Sequence, residues 1–356
     1  MTVEALRVRH LQLLRQNRVA DNLDGGRRQL DGADRYYTWS QVGAEPVGAR
    51  LSRLAAVRLR PDAYCPSRLR VLQNVLDDQL PELFAYADEL GWSVTTPFVT
   101  GVFPTGTLHA LSRPVPGSGV LVLVDSGMLD LVPDVLRIMS VARPMFGEPP
   151  LLDEQQTCSA LAEVFNAYLF GNGAVVARPL PQLFGQRLEL VEQMSRRATQ
   201  FVVAHEMGHV LAGHLVTSWR LTDPNTPVGA LDMQAVGWQN EYEADLIAAK
   251  IMLVGLEGLT AWELGIFEPY LVGALLLLLS LHEVVDLLAR AAGRPVPFAG
   301  SHPPPLQRIQ TLVDNLSEHL RTPRVLDLAA EMATWLEEQL GGVVEWFRAV
   351  DQVVDA

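Results

Sequence analysis

A run of about a dozen apolar residues from Tyr270 to Leu281, YLVGALLLLLSL, constrains the fold of this chain more than any other segment. It lies between Glu268 and His282 and is shorter than the roughly 20 residues that a helix needs to cross a bilayer. We therefore predict a helix buried inside a globular domain and no transmembrane span, with association at a membrane surface as the alternative. The 356 residues are 49% hydrophobic, so the chain can surround such a helix with a large core, in one domain with appendages or in two closely packed domains.

Charge, cysteines and the N-terminal segment narrow the class of protein further. The formal net charge is -13, and among the 28 basic residues only Lys250 is a lysine, which argues against a nucleic-acid partner. Cys65 and Cys158 lie far apart and outside any CxxC spacing, so neither a disulfide framework nor a thiolate zinc cluster is expected. The N-terminal segment lacks the uninterrupted apolar core of a secretory signal. These features together predict a reducing, cytoplasmic location.

Hydrophobic periodicity predicts an α+β fold that is mainly helical and contains one small β-sheet. Residues 92–132 are β-branched and punctuated by Gly and Pro, and GVLVLVDSGML is typical of a buried strand closed by a Ser–Gly turn. Helical spacing predicts helices at 6–23, 69–90, 153–170, 188–215, 239–256, from 306 onward and at 325–340. The predicted division is a helical N-terminal region at 1–92, a central domain at 93–320 with an insertion at about 133–196, and a C-terminal amphipathic helical tail at 321–356.

The segment FVVAHEMGHVLAGH, at 201–214, contains the residues best suited to chemistry. Each helical residue advances by roughly 100°, so His205 and His209 lie about 40° apart on one face and can reach the same ion. Zinc fits, because catalytic zinc sites use imidazole nitrogens among three protein ligands and leave one position for water. Glu206 is placed to take a proton from a metal-activated water as general base. The alternative, a solvated His/Glu face, is disfavoured by the apolar residues on both sides.

A zinc site of this kind needs a third ligand. On a continuing helix His214 would lie about 180° around the axis from His205, so we expect it not to bind the ion itself but to have an indirect or structural role. Downstream, WQNEYEADLIAAK places Glu241 and Asp245 on one helical face, whereas Glu243 points about 200° away from Glu241. One of the same-face carboxylates can complete the ligand set, and the other can accept the free N–H of a ligand histidine. The alternative is an exposed acidic helix start favoured by the helix dipole.

Three motifs, HEMGHVLAGH, NEYEAD and SHPPPLQRI, occur in the order found in gluzincin zinc metallopeptidases. The chain resembles the branch that includes the CAAX-processing proteases and soluble or periplasmic relatives, over about residues 85–313. The resemblance implies a zincin-like catalytic domain, one Zn²⁺ per chain and endopeptidase activity on a peptide or protein substrate. It further implies that His205, His209 and Glu241 bind zinc and that Glu206 is the general base.

The same resemblance assigns roles to residues around the ligands. Asp245 matches an aspartate that supports the ligands, and Arg308 matches a structural arginine close to it. His302, in the His–Pro motif, matches a histidine thought to stabilise the oxyanion that forms on the scissile carbonyl. The long hydrophobic spans of the membrane-bound relatives are absent from this sequence, so a role in membrane-protein quality control is not expected.

Substrate contacts are expected around the small sheet. Many relatives carry an asparagine that faces the substrate ahead of an edge strand, and His109 stands at the nearest position here. We expect the substrate to pair with the strand at 120–124, which includes Val122 and Val124, as an added edge strand. A second His–Glu pair, at 282–283, has Asp286 where another histidine would be needed, and we interpret that pair as structural.

A different class of function stays open on the sequence. The zincin scaffold can also serve as a binding or regulatory module that holds a peptide partner without cleaving it. Such a module would have no need of Glu206, so the presence of this residue favours the enzyme.

Overall fold

The computed structural model describes residues 3–16, 66–103, 108–115, 117–170, 181–215, 230–291, 302–322 and 325–354. The chain divides into two compact units. The first, the sheet unit, comprises Met1–Asp78, Thr96–Leu131 and Glu163–Pro179, and the second, the helical unit, comprises Gln79–Thr95, Val132–Ala162 and Leu180–Ala356. The contiguous division into 1–92, 93–320 and 321–356 stays a prediction.

The described part of the chain is rich in α-helix and contains a small three-stranded mixed sheet, consistent with the predicted α+β class. Its elements in chain order are α1 (Val3–Gln16), α2 (Pro66–Glu89), β1 (Phe98–Phe103), β2 (Ala110–Val115), β3 (Gly119–Asp125), α3 (Ser126–Ala142), α4 (Glu154–Phe170), α5 (Gly185–Leu211), α6 (Ala230–Val254), α7 (Ala261–Ala291), α8 (Pro305–Leu316) and α9 (Val325–Val354).

Most helices lie where the sequence predicts them, and the main difference is α3. The Ser–Gly pair that was expected to turn the chain instead begins this helix at Ser126. The physical reason is that buried Met128, Leu131 and Val135 recur at helical spacing directly after the strand, so a helix buries all of them on one face. Residues 17–23 of the first predicted helix lie outside the described residues.

The sheet unit has β3 between two partners, in the order β1-β3-β2. β1 is parallel to β3, and β2 is antiparallel to it. Helix α1 packs on this sheet through a buried apolar cluster formed by Leu6, Leu13, Val99, Phe103, Leu121 and Leu123. Gly119 precedes the core of β3 with φ of 125°, and a Cβ at this position would overlap the carbonyl oxygen of Pro97, so only glycine fits.

The backbone of β1 also bonds to side chains from two helices. The side chain of Gln73 donates to the carbonyl oxygen of Thr100 at 3.0 Å and accepts from the amide of Val102 at 2.9 Å. His10 Nε2 lies 3.0 Å from the carbonyl oxygen of Val102. These contacts satisfy polar groups of an outer strand that no further strand pairs within the described residues.

Val122 and Val124 lie on the central strand of the sheet. Val122 stands opposite Thr100 of β1 on one side and opposite Ser112 of β2 on the other. Both valine side chains are fully buried. The prediction that this strand adds a substrate as an edge strand is therefore wrong, because a strand that is paired on both sides has no main-chain groups left for a third partner.

Helix α7 contains the apolar run and lies in the helical unit. Every residue from Leu271 to Leu281 is buried. Val272 and Leu276 pack in a cluster with Val325 and Ala329 of α9. Among the described residues, α7 is the one helix whose length and composition would suffice to cross a membrane, and 83% of its apolar window is buried inside the protein. Its apolar surface is thus covered by neighbouring helices.

Candidate metal centre

Helix α5 supplies two histidines whose ring nitrogens converge. His205 Nε2 and His209 Nε2 lie 3.2 Å apart, and the two ring centroids are separated by 4.8 Å. Their i, i+4 spacing places them on one face of the helix. All residues from Ala198 to Gly208 are buried, so packing on every side holds this part of α5 in place.

Helix α6 brings a carboxylate to the same point. Glu241 Oε2 lies 3.4 Å from His205 Nε2, and Glu241 Oε1 lies 3.4 Å from His209 Nε2. The ligand atoms of these three residues all lie within 4.8 Å of one another, and they form the one group in the described part of the chain that could hold a metal ion.

The donor set and its hydrogen bonding both fit a metal ion. Glu241 is buried, and its Oε2 has no hydrogen-bond partner among the described residues. An unsatisfied buried carboxylate oxygen is costly unless a cation compensates it. Burial raises the pKa of Glu241, but the charges of His302 and the ligand histidines outweigh that effect and hold the pKa well below its usual value. The carboxylate is therefore ionised, as a metal ligand must be.

Gly208 allows α5 and α6 to approach closely. A Cβ at this position would lie 2.9 Å from the carbonyl oxygen of Ala244 and 3.0 Å from its Cα. Ala244 lies on α6 next to Asp245 and one turn from Glu241. The absence of a side chain at Gly208 thus sets the distance between the histidines and the carboxylates that face them.

Replacing Gly208 by alanine is expected to lower the free energy of unfolding by about 1–3 kcal/mol, because the added methyl group meets backbone atoms that cannot rotate away. It should also weaken zinc binding by moving α6 away from α5. Urea denaturation and a zinc competition assay measure the two effects. Gly237→Ala is the matched control, because this glycine also lies inside a helix, α6, but has open space around it, and a gain of about 0.5–1 kcal/mol is expected. Equal stability of the two variants would contradict the close approach.

Asp245 and Arg308 support His205 from behind. His205 Nδ1 donates to Asp245 Oδ1 at 2.9 Å, which leaves Nε2 for the metal. The guanidinium of Arg308, on α8, donates to both oxygens of Asp245 at 2.7 and 2.6 Å. The carboxylate of Asp245 therefore accepts the N–H of His205, a candidate ligand. The sequence had predicted this role for one of the two carboxylates, Glu241 or Asp245.

This buried group is strongly coupled electrostatically. Burial raises the pKa of Asp245, but the adjacent Arg308 charge outweighs that effect and lowers the pKa to about 2. Burial lowers the pKa of His205, whereas its hydrogen bond to Asp245 and the nearby Glu241 carboxylate raise the pKa to about 10. Burial likewise lowers the pKa of Arg308, and the Asp245 carboxylate raises it above its ordinary value.

His214 does not point away from the centre as the helical projection predicted. Helix α5 ends at Leu211, and Gly213 has φ of 73°, which turns the chain back. His214 Nδ1 then lies 2.9 Å from His209 Nδ1, and His214 Nε2 lies 3.1 Å from Glu243 Oε2. The signal that could have revealed this is Gly213 itself, since glycine commonly follows the last residues of a helix.

Glu206 and His302 lie near the candidate ligands. Glu206 is 6% exposed and follows His205 directly on α5. His302 precedes α8, and its Nε2 lies 3.5 Å from Glu241 Oε2. Burial lowers the pKa of His302, and the Glu241 carboxylate partly opposes that shift. The roles of Glu206 as general base and of His302 as oxyanion donor stay predictions.

Other residues singled out in the sequence are not members of the candidate metal group. His109 precedes β2 in the sheet unit, where its carbonyl oxygen accepts the amide of Asp125 at 2.9 Å. His282, Glu283 and Asp286 lie on α7, and Asp286 is buried 4.0 Å from Arg290. The candidate metal group contains none of these residues within the described chain.

Comparisons of the chain with protein-family models, with curated proteins and with solved structures find no match.

Proposed function

We propose that the protein is a zinc-dependent endopeptidase of the gluzincin type, with a zincin-like arrangement of ligands on α5 and α6. The observation that carries the proposal is the buried group of His205, His209 and Glu241 next to a buried Glu206. Two imidazoles and one carboxylate suit zinc, and three protein ligands leave one position open, as in catalytic rather than structural sites.

The residues of the chain have separate tasks in this mechanism. A bound zinc ion supplies Lewis acidity toward water and toward a peptide carbonyl. Glu206 takes the proton of the attacking water and passes it to the leaving amine. Asp245 holds the His205 ring through its Nδ1–H, and the charge of Arg308 keeps Asp245 ionised. His302, next to Glu241, is the candidate donor to the oxyanion.

The substrate is a peptide or protein, and the proposed location is the cytoplasm. Cys158 is a free thiol, which is compatible with a reducing compartment. The net charge of -13 supports a partner other than nucleic acid.

The alternative is a zincin scaffold that binds a peptide without cleaving it. Two features favour the enzyme. Glu206 is buried directly after a candidate ligand, the position from which a carboxylate can take a proton from a metal-activated water. The candidate ligand set also contains three residues, whereas structural zinc sites usually close with four.

Metal analysis combined with a peptide-library cleavage assay tests this proposal. We expect one zinc per purified chain, cleavage of library peptides, loss of cleavage after treatment with a chelator and recovery after zinc is added back. The variant His205→Ala should bind no zinc, whereas His319→Ala, at an exposed histidine outside the candidate metal group, should behave as wild type. A wild-type chain without zinc would overturn the proposal, and a zinc-bound chain that cleaves no library peptide would support the binding module instead.

A further inference from the structure

His209 is the candidate ligand with the least support from helix packing. It lies in the last turn of α5, two residues before the helix ends at Leu211, and its side chain is only partly buried. His205, by contrast, is held by Asp245 and Arg308. A ligand near a helix end needs some other contact to fix the direction of its ring.

His214 and Glu243 provide such a contact in a line of two hydrogen bonds. His209 Nδ1 and His214 Nδ1 are 2.9 Å apart, with ring centroids at 5.1 Å and an interplanar angle of 68°. His214 Nε2 and Glu243 Oε2 are 3.1 Å apart. The His214 side chain is 8% exposed and that of Glu243 is 53% exposed, so the line runs from the candidate metal centre to the surface.

The chemistry of the metal assigns each proton in this line. A histidine that binds a metal through Nε2 carries its proton on Nδ1. His209 therefore donates to His214, whose Nδ1 must accept and whose own proton must be on Nε2. That proton is donated to the carboxylate of Glu243, whose oxygens have no proton of their own to donate. Each atom of the line thus has one role that is consistent with ligation by His209.

We propose that His214 and Glu243 are positioning residues for His209, so that Glu243 fixes the tautomer of His214 and His214 orients the His209 ring toward the metal. This inference rests on the proposed function, because it takes His209 as a zinc ligand. It gives each ligand histidine its own support, since Asp245 and Arg308 hold His205 while His214 and Glu243 hold His209. It also explains why Gly213 turns the chain directly after α5.

Zinc affinity of four variants tests the proposal in the full-length chain, by competition with a chromophoric chelator. His214→Phe removes the acceptor for His209 and is expected to weaken zinc binding by about 10–100-fold. His214→Gln keeps a carbonyl acceptor and should retain most of the affinity. Glu243→Ala should weaken binding by up to about tenfold, whereas Glu243→Gln, which keeps an acceptor oxygen, should bind nearly as wild type.

The order of the two His214 variants separates positioning from packing. If His214 only filled space, the ring of phenylalanine would replace it better than glutamine, and His214→Phe would bind zinc more tightly than His214→Gln. His319→Phe and Glu337→Ala, at exposed sites outside the candidate metal group, are the matched controls and should leave affinity unchanged. Circular dichroism of the metal-free variants shows whether each has folded.

A spectroscopic measurement on the wild type does not depend on any variant. In the zinc-loaded protein, ¹⁵N NMR should show His214 protonated at Nε2 and unprotonated at Nδ1. A proton on Nδ1, or equal affinity of His214→Phe and wild type, would overturn the positioning role. If the wild type binds no zinc, the proposed function itself fails. If the wild type binds zinc but His214 shows one of the outcomes above, only the positioning role fails, so the two failures are distinguishable.

Discussion

Replacing Glu206 by glutamine is expected to leave one zinc per chain bound and to lower kcat/KM for peptide cleavage by at least about 10²–10⁴-fold. The amide keeps the size of the side chain but cannot accept the proton of the attacking water, and general-base catalysis contributes about that factor. Glu206 is not among the three candidate ligands, so metal content should not change. Zinc stoichiometry and initial rates on a peptide identified from the library measure the two outcomes.

The chain offers a matched control for this variant in its second His–Glu pair. Glu283→Gln makes the same substitution one residue after His282, on α7 and outside the candidate metal group, and should leave the cleavage rate unchanged. If Glu206→Gln cleaved as fast as the wild type, the assignment of the general base would be wrong.

Replacing Arg308 by methionine is expected to lower the free energy of unfolding of the metal-free protein by about 3–5 kcal/mol. Arg308 and Asp245 are both buried and joined by two hydrogen bonds, and removal of one partner leaves the other charge uncompensated. Urea denaturation at neutral pH measures the loss. The double variant Asp245→Leu/Arg308→Met should recover part of it, because the unpaired carboxylate is then gone.

An ion pair whose arginine is exposed provides the control for the Arg308 variant. Arg290 lies 4.0 Å from the buried Asp286, but its own side chain is 58% exposed, so Arg290→Met should change stability by no more than about 1 kcal/mol. A loss from Arg308→Met as small as this would contradict the buried pairing of Arg308 with Asp245.

The Asp245–Arg308 pair predicts how the stability of the protein depends on pH. The folded pKa of Asp245, about 2, is lower than the value of about 3.9 expected in the unfolded chain. Its stabilising contribution is therefore present above about pH 4 and is lost as the pH falls through about 2. Without Arg308 the folded pKa of Asp245 rises, so the variant should unfold at a higher pH than the wild type during an acid titration.

The parts of the centre that could be predicted from the sequence are the pairs of residues that share one face of the same helix. His205 and His209 share a face of α5, and Glu241 and Asp245 share a face of α6, because residues four apart lie one above the other on any α-helix. Helical spacing left open which of the two carboxylates joins the histidines, and the family resemblance assigned that role to Glu241. In the structure Glu241 lies beside both Nε2 atoms, and Asp245 accepts the Nδ1–H of His205.

His214 shows where this reasoning fails. The projection that placed it opposite His205 assumed that the helix continues. Helix α5 instead ends at Leu211, and the backbone leaves the helical conformation at Gly213, which has a positive φ. Glu243, which points away from Glu241 on α6, consequently meets His214. Helical projection describes only residues inside the helix.

Spacing and hydrophobicity are local properties of the chain, so they already show which side chains share the face of a helix and which segments are apolar enough to be buried. Which of these faces meet depends on tertiary packing. The approach of α5 to α6 depends on the contact of Gly208 with Ala244, and Arg308 reaches Asp245 across 63 residues of sequence. The central position of β3 likewise depends on its pairing with β1 and β2. Such contacts form between segments that are far apart in the sequence. The local pattern of residues does not show which of these segments come close together.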